Sequence, residues 1–254
     1  MGDVPPAFVD CHSHVCPSDD DGASTVAEGA LLCREAARHG TAILFATPHV
    51  WPNLPLTPKR EEAVRARFAE LVPRAGLELR LGFELTPSAW LVREDLGRYE
   101  LDGTGCVLME VPFIGPGEPL VRLATRAEAQ GLVPVIAHPE RSEAALSDPD
   151  FAWRLAQRGW PLQLNATSLL GRHGPGISDL AWSLVETGAA AVVASDGHRQ
   201  TRPPHLDDAW EAVAERIGDE QARPLFDGTA LGLGAEAEAR TPRPTPSPAA
   251  TRGA

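Results

Sequence analysis

The stretch Asp10-Cys11-His12-Ser13-His14-Val15-Cys16-Pro17-Ser18-Asp19-Asp20-Asp21-Gly22 places two histidines, two cysteines and four carboxylates within thirteen residues. It continues an apolar run, Phe8-Val9-Asp10-Cys11, that reads as a first strand, so the histidines stand at that strand's carboxyl end. Alternate residues of an extended chain point the same way, and His12 and His14 can therefore share one ion. Imidazole mixed with carboxylate suits Mn, Fe, Co or Zn, whereas a thiolate site would need grouped cysteines. Asp21, or its neighbour Asp20, supplies the carboxylate. The stretch reads as a metal site.

Working outward, the same arrangement recurs. Ser24 to Glu28 forms a capping box that opens a helix closed by Gly40. Ala42–Ala46 reads as a second strand, and Thr57-Pro58 opens a second helix with proline in its first turn. Further strands are expected at 77–83, 107–111, 133–137, 162–164 and 190–194, with helical stretches such as 120–130, 151–158 and 180–186 between most of them. Seven β-then-α units predict a parallel sheet closed, or nearly closed, into a barrel. Five of the eight histidines (His12, His14, His49, His138 and His198) follow predicted strands, as do Glu84, Glu110 and Asp196. All strand ends of a parallel barrel meet on one face, where such folds place their sites.

Each fragment alone has an ordinary explanation. A lone His-x-His arises by chance, and Asp-Asp-Asp-Gly is usually a solvated turn. The shared face is what separates a metal centre from coincidence. His39, at a helix end, is explained by the helix dipole. His173 and His205 fall in loops and are set aside. Cys11 and Cys106 read as small core residues, and Cys16 as a thiol near the site but outside it. Trp51 and Trp90 are expected to pack, with a place at the mouth facing an aryl ring as the alternative. Asn165 ends the sixth strand on the same face, near the metals or capping a turn.

Composition narrows the partners. A formal charge of −12 over 254 residues argues against a nucleic-acid surface. MGDVPPAFVD lacks the basic and apolar segments of a signal peptide, and no apolar run reaches the roughly 18 residues of a membrane span. A cytoplasmic protein with no membrane insertion and four reduced cysteines is the expectation. A single domain is expected over 1–234, followed by a Pro/Ala-rich disordered tail over 235–254. Cysteine-based tyrosine phosphatase chemistry is excluded by spacing. It needs arginine six positions after the cysteine, where Cys11, Cys16, Cys33 and Cys106 are followed by Pro17, Gly22, His39 and Pro112.

The pieces DCHSH, DDG, ATPH, GFELTP, LMEVPF, PVIAHPER, QLNATSLLG, VASDGH and TRPPHL, in that order over residues 8–228, resemble the polymerase-and-histidinol-phosphatase (PHP) family. Within it, the chain is similar to metal-dependent protein-tyrosine phosphatases of bacterial capsule and exopolysaccharide loci, the CpsB/YwqE type. The resemblance implies a distorted (β/α)7 barrel holding three divalent ions, Mn2+ first, with Fe, Co or Zn as alternatives. Residues matching His12, His14, Glu84 and Asp196 hold one ion. Those matching Glu84, Glu110 and His138 hold a second, with Glu84 bridging, and those matching Asp21, His49 and His198 hold the third. Arg141 and Arg202 match phosphate-binding positions. The family's usual Asn-Pro near the C-terminus is replaced by Asp227-Gly228-Thr229, which puts the packing of the C-terminal helix in question and leaves the chemistry intact.

Four ligand carboxylates against three divalent ions leave such a cluster net positive, and two arginines add to this. A phosphate monoester fits, attacked in line by a metal-bridging hydroxide with no phospho-enzyme. The implied substrate is a phosphotyrosine protein, with an autophosphorylated bacterial tyrosine kinase as partner. The rivals are a histidinol-phosphate phosphatase on the same barrel, a phosphodiesterase or nuclease, which the acidic charge disfavours, and a non-catalytic module that binds a phosphorylated partner.

Overall fold

The computed structural model of the chain describes residues 5–235. The tail expected from 235 onward lies, apart from Ala235, outside the described residues. The strands are β1 (Phe8–Ser13), β2 (Thr41–Ala46), β3 (His49–Val50), β4 (Glu78–Leu81), β5 (Glu84–Leu85), β6 (Cys106–Glu110), β7 (Val133–Ala137), β8 (Leu162–Asn165) and β9 (Ala190–Ala194). The helices are α1 (Val26–Arg38), α2 (Pro58–Ala75), α3 (Glu118–Ala129), α4 (Glu143–Ser147), α5 (Asp150–Gln157), α6 (Ala166–Leu169), α7 (Pro175–Glu186), α8 (Asp207–Ile217) and α9 (Asp219–Ala222). Helix starts follow local chemistry. Thr25 accepts from the Glu28 amide while the Glu28 carboxylate reaches back to the Ser24 amide, and Thr57 caps α2 ahead of Pro58.

Every strand pair within the two sheets is parallel, with order β1-β2-β4 in one and β3-β5-β6-β7-β8-β9 in the other. The two sheets form one wall. β3 continues β2 past Thr47-Pro48, and β5 continues β4 past Gly82-Phe83. Across these breaks Gly82 N–H donates to the Ala46 carbonyl (2.9 Å) and Glu84 N–H to that of Pro48 (3.1 Å). Proline cannot donate to the ladder, so the break falls there. Gly82 passes so close to Leu101 that an added Cβ would lie 2.5 Å from a side-chain carbon. The third strand, expected as one run over 77–83, is thus split, and Glu84 lies inside β5 with register partners His49 and Leu108. The third unit also lacks an α-helix before β6. Two 3-10 turns, Leu91–Arg93 and Leu96–Tyr99, take its place, the second capped by Asp95.

The wall closes between β1 and the end of β9, giving a distorted seven-unit barrel. Asp196 N–H donates to the His12 carbonyl (2.9 Å), and His14 N–H donates to the Gly197 carbonyl (2.6 Å). Asp10, fully buried, spans the same seam. Its Oδ1 accepts from the amides of His12 (3.2 Å) and Ser195 (3.1 Å), and its Oδ2 accepts from the Ser195 hydroxyl (2.5 Å). Alternate strand residues divide between two cores. Val9, Cys11, Ile43, Phe45, Leu108, Val135 and Val192 fill the barrel, while Phe8, Leu44, Val107, Met109 and Ile136 meet the helices. The C-terminal segment packs on this outer layer, where Phe8 meets Trp210 and Phe226. Gly228, at φ 80°, makes its turn against Val9, and the Asp227 carboxylate caps the Thr229 amide (2.9 Å). Among the described residues no helix is long and apolar enough to cross a membrane.

Removing the Asp10 carboxylate strands three donors in the dry seam. Asp10→Ala is expected to cost about 2–5 kcal/mol, from the roughly 1–3 kcal/mol carried by each unsatisfied buried group with partial relaxation. Urea unfolding measures it, and a loss under about 1 kcal/mol would show that closure does not depend on Asp10.

Candidate metal centre

All nine residues expected as ligands lie at the carboxyl face of the barrel, and eight of them are buried. β1 delivers His12, with His14 just past its end, β3 His49, β5 Glu84, β6 Glu110, and the turns after β7 and β9 deliver His138, Asp196 and His198. Asp21 comes from the loop before α1, and its side chain is 59% exposed, which leaves it at the rim. Two of the turns hold non-glycine residues at positive φ, His138 at 34° and Asp196 at 50°. Such conformations cost about 1–3 kcal/mol each and persist where surrounding structure imposes them.

Glu84 sits at the middle. Its Oε2 lies 3.1 Å from His12 Nε2, 3.4 Å from His14 Nε2 and 2.9 Å from His49 Nδ1, and its Oε1 lies 3.0 Å from His138 Nε2. His12 and His14 turn their Nε2 atoms toward one another at 3.1 Å, with Asp196 Oδ1 3.5 and 3.4 Å away. At the rim, Asp21 Oδ1 lies 3.4 Å from His49 Nε2 and 3.3 Å from His198 Nε2. Asp21 therefore reaches His49 and His198, while the buried Asp20 carboxylate lies 3.9 Å from His14 Nδ1. Asp20 accepts the His49 amide (3.0 Å) and that of Gly22, holding the loop.

These residues fit metal ions. Ligand atoms converge into three sets: His14 with Asp21, His49 and His198; His12 with His14 and Asp196; and His12 with Glu84 and His138. His12 and His14 each reach two sets, and Glu84 falls in one. Glu110 lies outside these sets and accepts from Thr86 Oγ1. The buried atoms His14 Nδ1 and His138 Nδ1 find no hydrogen-bond partner, a cost of about 1–3 kcal/mol each that coordination or its partners would offset.

A second layer aims the first. Gln163 Oε1 accepts from His12 Nδ1 (2.8 Å), which turns the Nε2 lone pair inward. Gln163 in turn donates to Asn165 Oδ1 (2.9 Å), and Asn165 donates to Asp196 Oδ2 (2.8 Å). His198 Nδ1 lies 2.9 Å from the Asp196 carbonyl and beside the Arg202 guanidinium, and its Nε2 faces Asp21. Gln163 and Asp10 were missed in the sequence. The alternation Gln163-Leu164-Asn165 does place two amides on one strand face, a usable signal.

Electrostatics follow from this crowding. Burial raises a carboxyl, but at Glu84 and Asp196 the imidazoles outweigh it and hold both well below the usual range. Glu110 has no such surround. Burial first, and then repulsion from Glu84, push it up to about 7. At His49 burial alone would lower the pKa, and Glu84 raises it to about 9. His173, overlooked in its loop, is held by Thr167 (2.9 Å) and driven down to about 4 by burial and by Arg141 and Arg202. It is a neutral imidazole near both arginines.

A cavity of about 390 Å³ opens over the cluster, lined by Asp21, His49, Trp51, Thr86, Glu110, Pro112, Phe113, His138, Arg141, Asp196, His198 and Arg202. Arg141 Nη1 donates to Asp196 Oδ2 (3.0 Å), and Arg202 Nη2 lies 3.5 Å from Asp196 Oδ1 and against His198 Nδ1. Trp51 stacks on His49 at 4.4 Å between centroids, so it is a wall of the site, whereas Trp90 packs on the core as expected. Phe113 was not singled out from sequence. It stacks on His138 (5.4 Å) and lies under the Arg141 guanidinium (4.8 Å). No thiol reaches the site: Cys16 Sγ points to the carbonyls of Pro17 and Val64, and burial holds it at about 12.

A family model for capsular polysaccharide synthesis, CpsB/CapC, matches residues 8–231. The chain belongs to the CpsB/CapC family. The tyrosine-protein phosphatase YwqE of Bacillus subtilis is 30% identical over 226 residues, spanning 84% of this chain and 86% of that protein. The tyrosine-protein phosphatase CpsB of Streptococcus pneumoniae is 26% identical, spanning 86% of this chain and 95% of its own. A crystal structure from work on YwqE and CpsB as unique metal-dependent tyrosine phosphatases superposes with a TM-score of 0.78 at 27% identity, covering 91% of this chain and 95% of that one. Dihydropyrimidinase from Brevibacillus agri, at 14% identity and a TM-score of 0.54 over 91% of this chain and 71% of its own, shares the barrel fold.

Ligation requires deprotonated side chains, so Glu110 and His49 would lose protons if both serve as ligands. Metal affinity is expected to tighten as pH rises from about 6 to 9, with net proton release, the window given by pKa values near 7 and 9. Calorimetry in buffers of different ionisation enthalpy measures this. A pH-independent affinity would separate these two residues from the binding event.

Proposed function

We propose that the protein hydrolyses phosphotyrosine on a protein substrate, using divalent ions held by His12, His14, Asp21, His49, Glu84, Glu110, His138, Asp196 and His198. The substrate proposed is an autophosphorylated bacterial tyrosine kinase of capsule or exopolysaccharide production, met in the cytoplasm. The CpsB/CapC membership and the YwqE and CpsB relatives support the substrate class. The observation that carries the reading is the cavity itself: a floor of imidazoles and carboxylates, two arginines at one side, and the rings of Trp51 and Phe113 as walls.

Three ions, Mn2+ first, suit the mixed imidazole and carboxylate donor set, and when bound such ions would supply Lewis acidity and lower the pKa of water. Arg141 and Arg202 would grip the phosphoryl oxygens. Both already lean on Asp196, so they are positioned before substrate enters and exchange one anion for another. Phe113 backs the Arg141 guanidinium and fixes its plane. His173, kept neutral, donates or accepts without adding charge. Trp51 and Phe113 offer two aromatic faces to an aryl ring. Tyrosinate, with a pKa of about 10, leaves readily with little help from an acid. The alkoxide of histidinol is much more basic, and that substrate's ammonium group would face the two arginines. Histidinol phosphate is the weaker fit on both grounds.

Chelation is expected to abolish activity and Mn2+ to restore it, with phosphotyrosine peptides outrunning histidinol phosphate. Full activity in verified metal-free protein would sink the reading, and a preference for histidinol phosphate would overturn the substrate alone. Arg141→Lys and Arg202→Lys should each lower kcat/KM for aryl phosphates by roughly ten- to 150-fold at unchanged metal content, the worth of one charge-assisted contact. If Arg202 only anchors its loop, stability would fall and kinetics per folded molecule would not. A variant with all four cysteines replaced should keep most of its rate; a thousandfold loss in folded Cys16→Ser would reassign the nucleophile.

A further inference from the structure

A second convergence of ligand atoms lies away from the pocket, at the C-terminal end of α1. Glu35 and His39 stand one helical turn apart and so share a face. His205 reaches them from the loop before α8. Glu35 Oε1 lies 3.5 Å from His39 Nε2 and 3.4 Å from His205 Nε2. None of the three lines the catalytic cavity.

We propose that Glu35, His39 and His205 form a separate divalent-cation site of the zinc class, which staples the loop carrying Arg202 to α1. The separations match the chemistry. Zinc holds nitrogen and oxygen at about 2.0–2.2 Å, so ligand atoms in a tetrahedral shell stand about 3.3–3.5 Å apart. His39 is also prepared for ligation by the hydrogen bond on its far side. Its Nδ1 donates to Asp207 Oδ2 at 2.6 Å, the carboxylate–imidazole pairing that fixes the tautomer and leaves the Nε2 lone pair free. His205 Nε2 is a buried nitrogen with no hydrogen-bond partner, and it points at the same oxygen. Arg38 pairs with the other Glu35 oxygen, leaving Oε1 to both rings. The imidazoles stack at 3.7 Å and 17° with their lone pairs side by side, so one ring turns about its Cβ–Cγ bond when both Nε2 atoms meet one ion.

Access and consequence are both visible. The three side chains are 25–32% exposed, and a cavity of about 430 Å³ lined by Glu35, Arg38, Gln200 and His205 adjoins them, leaving room for water as a further ligand. Two imidazoles with one carboxylate suit Zn2+, Cu2+ or Ni2+. Pro203-Pro204 joins Arg202 to His205, and Pro204 packs so tightly on Gly197 that a Cβ there would lie 2.7 Å from it. Restraining His205 therefore restrains the segment 199–206 between the barrel end and α8.

The test uses full-length protein stripped with chelator, dialysed against Zn2+ and assayed for metal. Wild type should retain about one more equivalent per chain than Glu35→Gln/His205→Gln, whose catalytic ligands are untouched, and Zn2+ should slow amide exchange over 199–206 in wild type alone. Should the variant not fold, the His39 and His205 ring nitrogens of wild type are followed by NMR during Zn2+ titration, where shifts of both Nε2 signals are expected. Equal metal content, unchanged exchange in 199–206, or unmoved Nε2 signals would each overturn the proposal. These readouts do not depend on the phosphatase reading, so either can fail alone.

Discussion

Four imidazoles crowd one buried carboxylate, and that crowding ties the fold to the chemistry. His12, His14, His49 and His138 come from β1 and just past its end, from β3 and from the turn after β7, and all four approach Glu84 within 3.4 Å. A carboxylate with no exposed surface is costly to ionise unless charge or hydrogen bonds compensate. Here the compensation arrives from separate parts of the wall, so the centre is satisfied only when the barrel is closed. The same demand explains the left-handed backbone at His138 and Asp196, where the chain gives up a comfortable conformation to aim a side chain.

Around that carboxylate the structure separates roles by depth. The floor is dry and imidazole-rich. Asp21 stands at the rim, exposed enough to exchange with solvent yet within reach of His49 and His198. The amide chain from Gln163 through Asn165 links His12 to Asp196, so two ligands on different strands are oriented by one hydrogen-bond sequence. Asp196 also receives both arginines. It therefore couples the floor to the groups that would hold phosphate, and a disturbance at either is felt at the other.

The loop after β9 carries an unusual share of function for its length. It holds Asp196, His198 and Arg202 and then turns through two prolines to His205 beside α1. The contact of Gly197 with Pro204 leaves no room for a side chain and ties the start of the loop to its end. Holding Arg202 in place before binding would spare the side-chain entropy of ordering it.

Much of the centre was legible before any coordinates. His-x-His at the end of an apolar run, Glu84 and Glu110 near strand ends, and Asp196 with His198 after the last strand are local patterns. Strand alternation and the parallel β/α order carry them to one face. The tertiary structure decided what depends on distance in space. It set Asp21 Oδ1 at the rim beside His49 and His198, while the buried Asp20 carboxylate accepts backbone amides and lies 3.9 Å from His14 Nδ1. It split the third strand at Gly82, where Leu101 arrives from elsewhere in the chain. It brought Phe113 and Trp51 over the cavity and paired His39 with His205, whose sequence contexts, a helix end and a loop, carry no sign of each other. Periodicity and spacing report what one segment does by itself. Which distant segments share a ligand, a wall or a hydrogen bond follows only from closing the barrel.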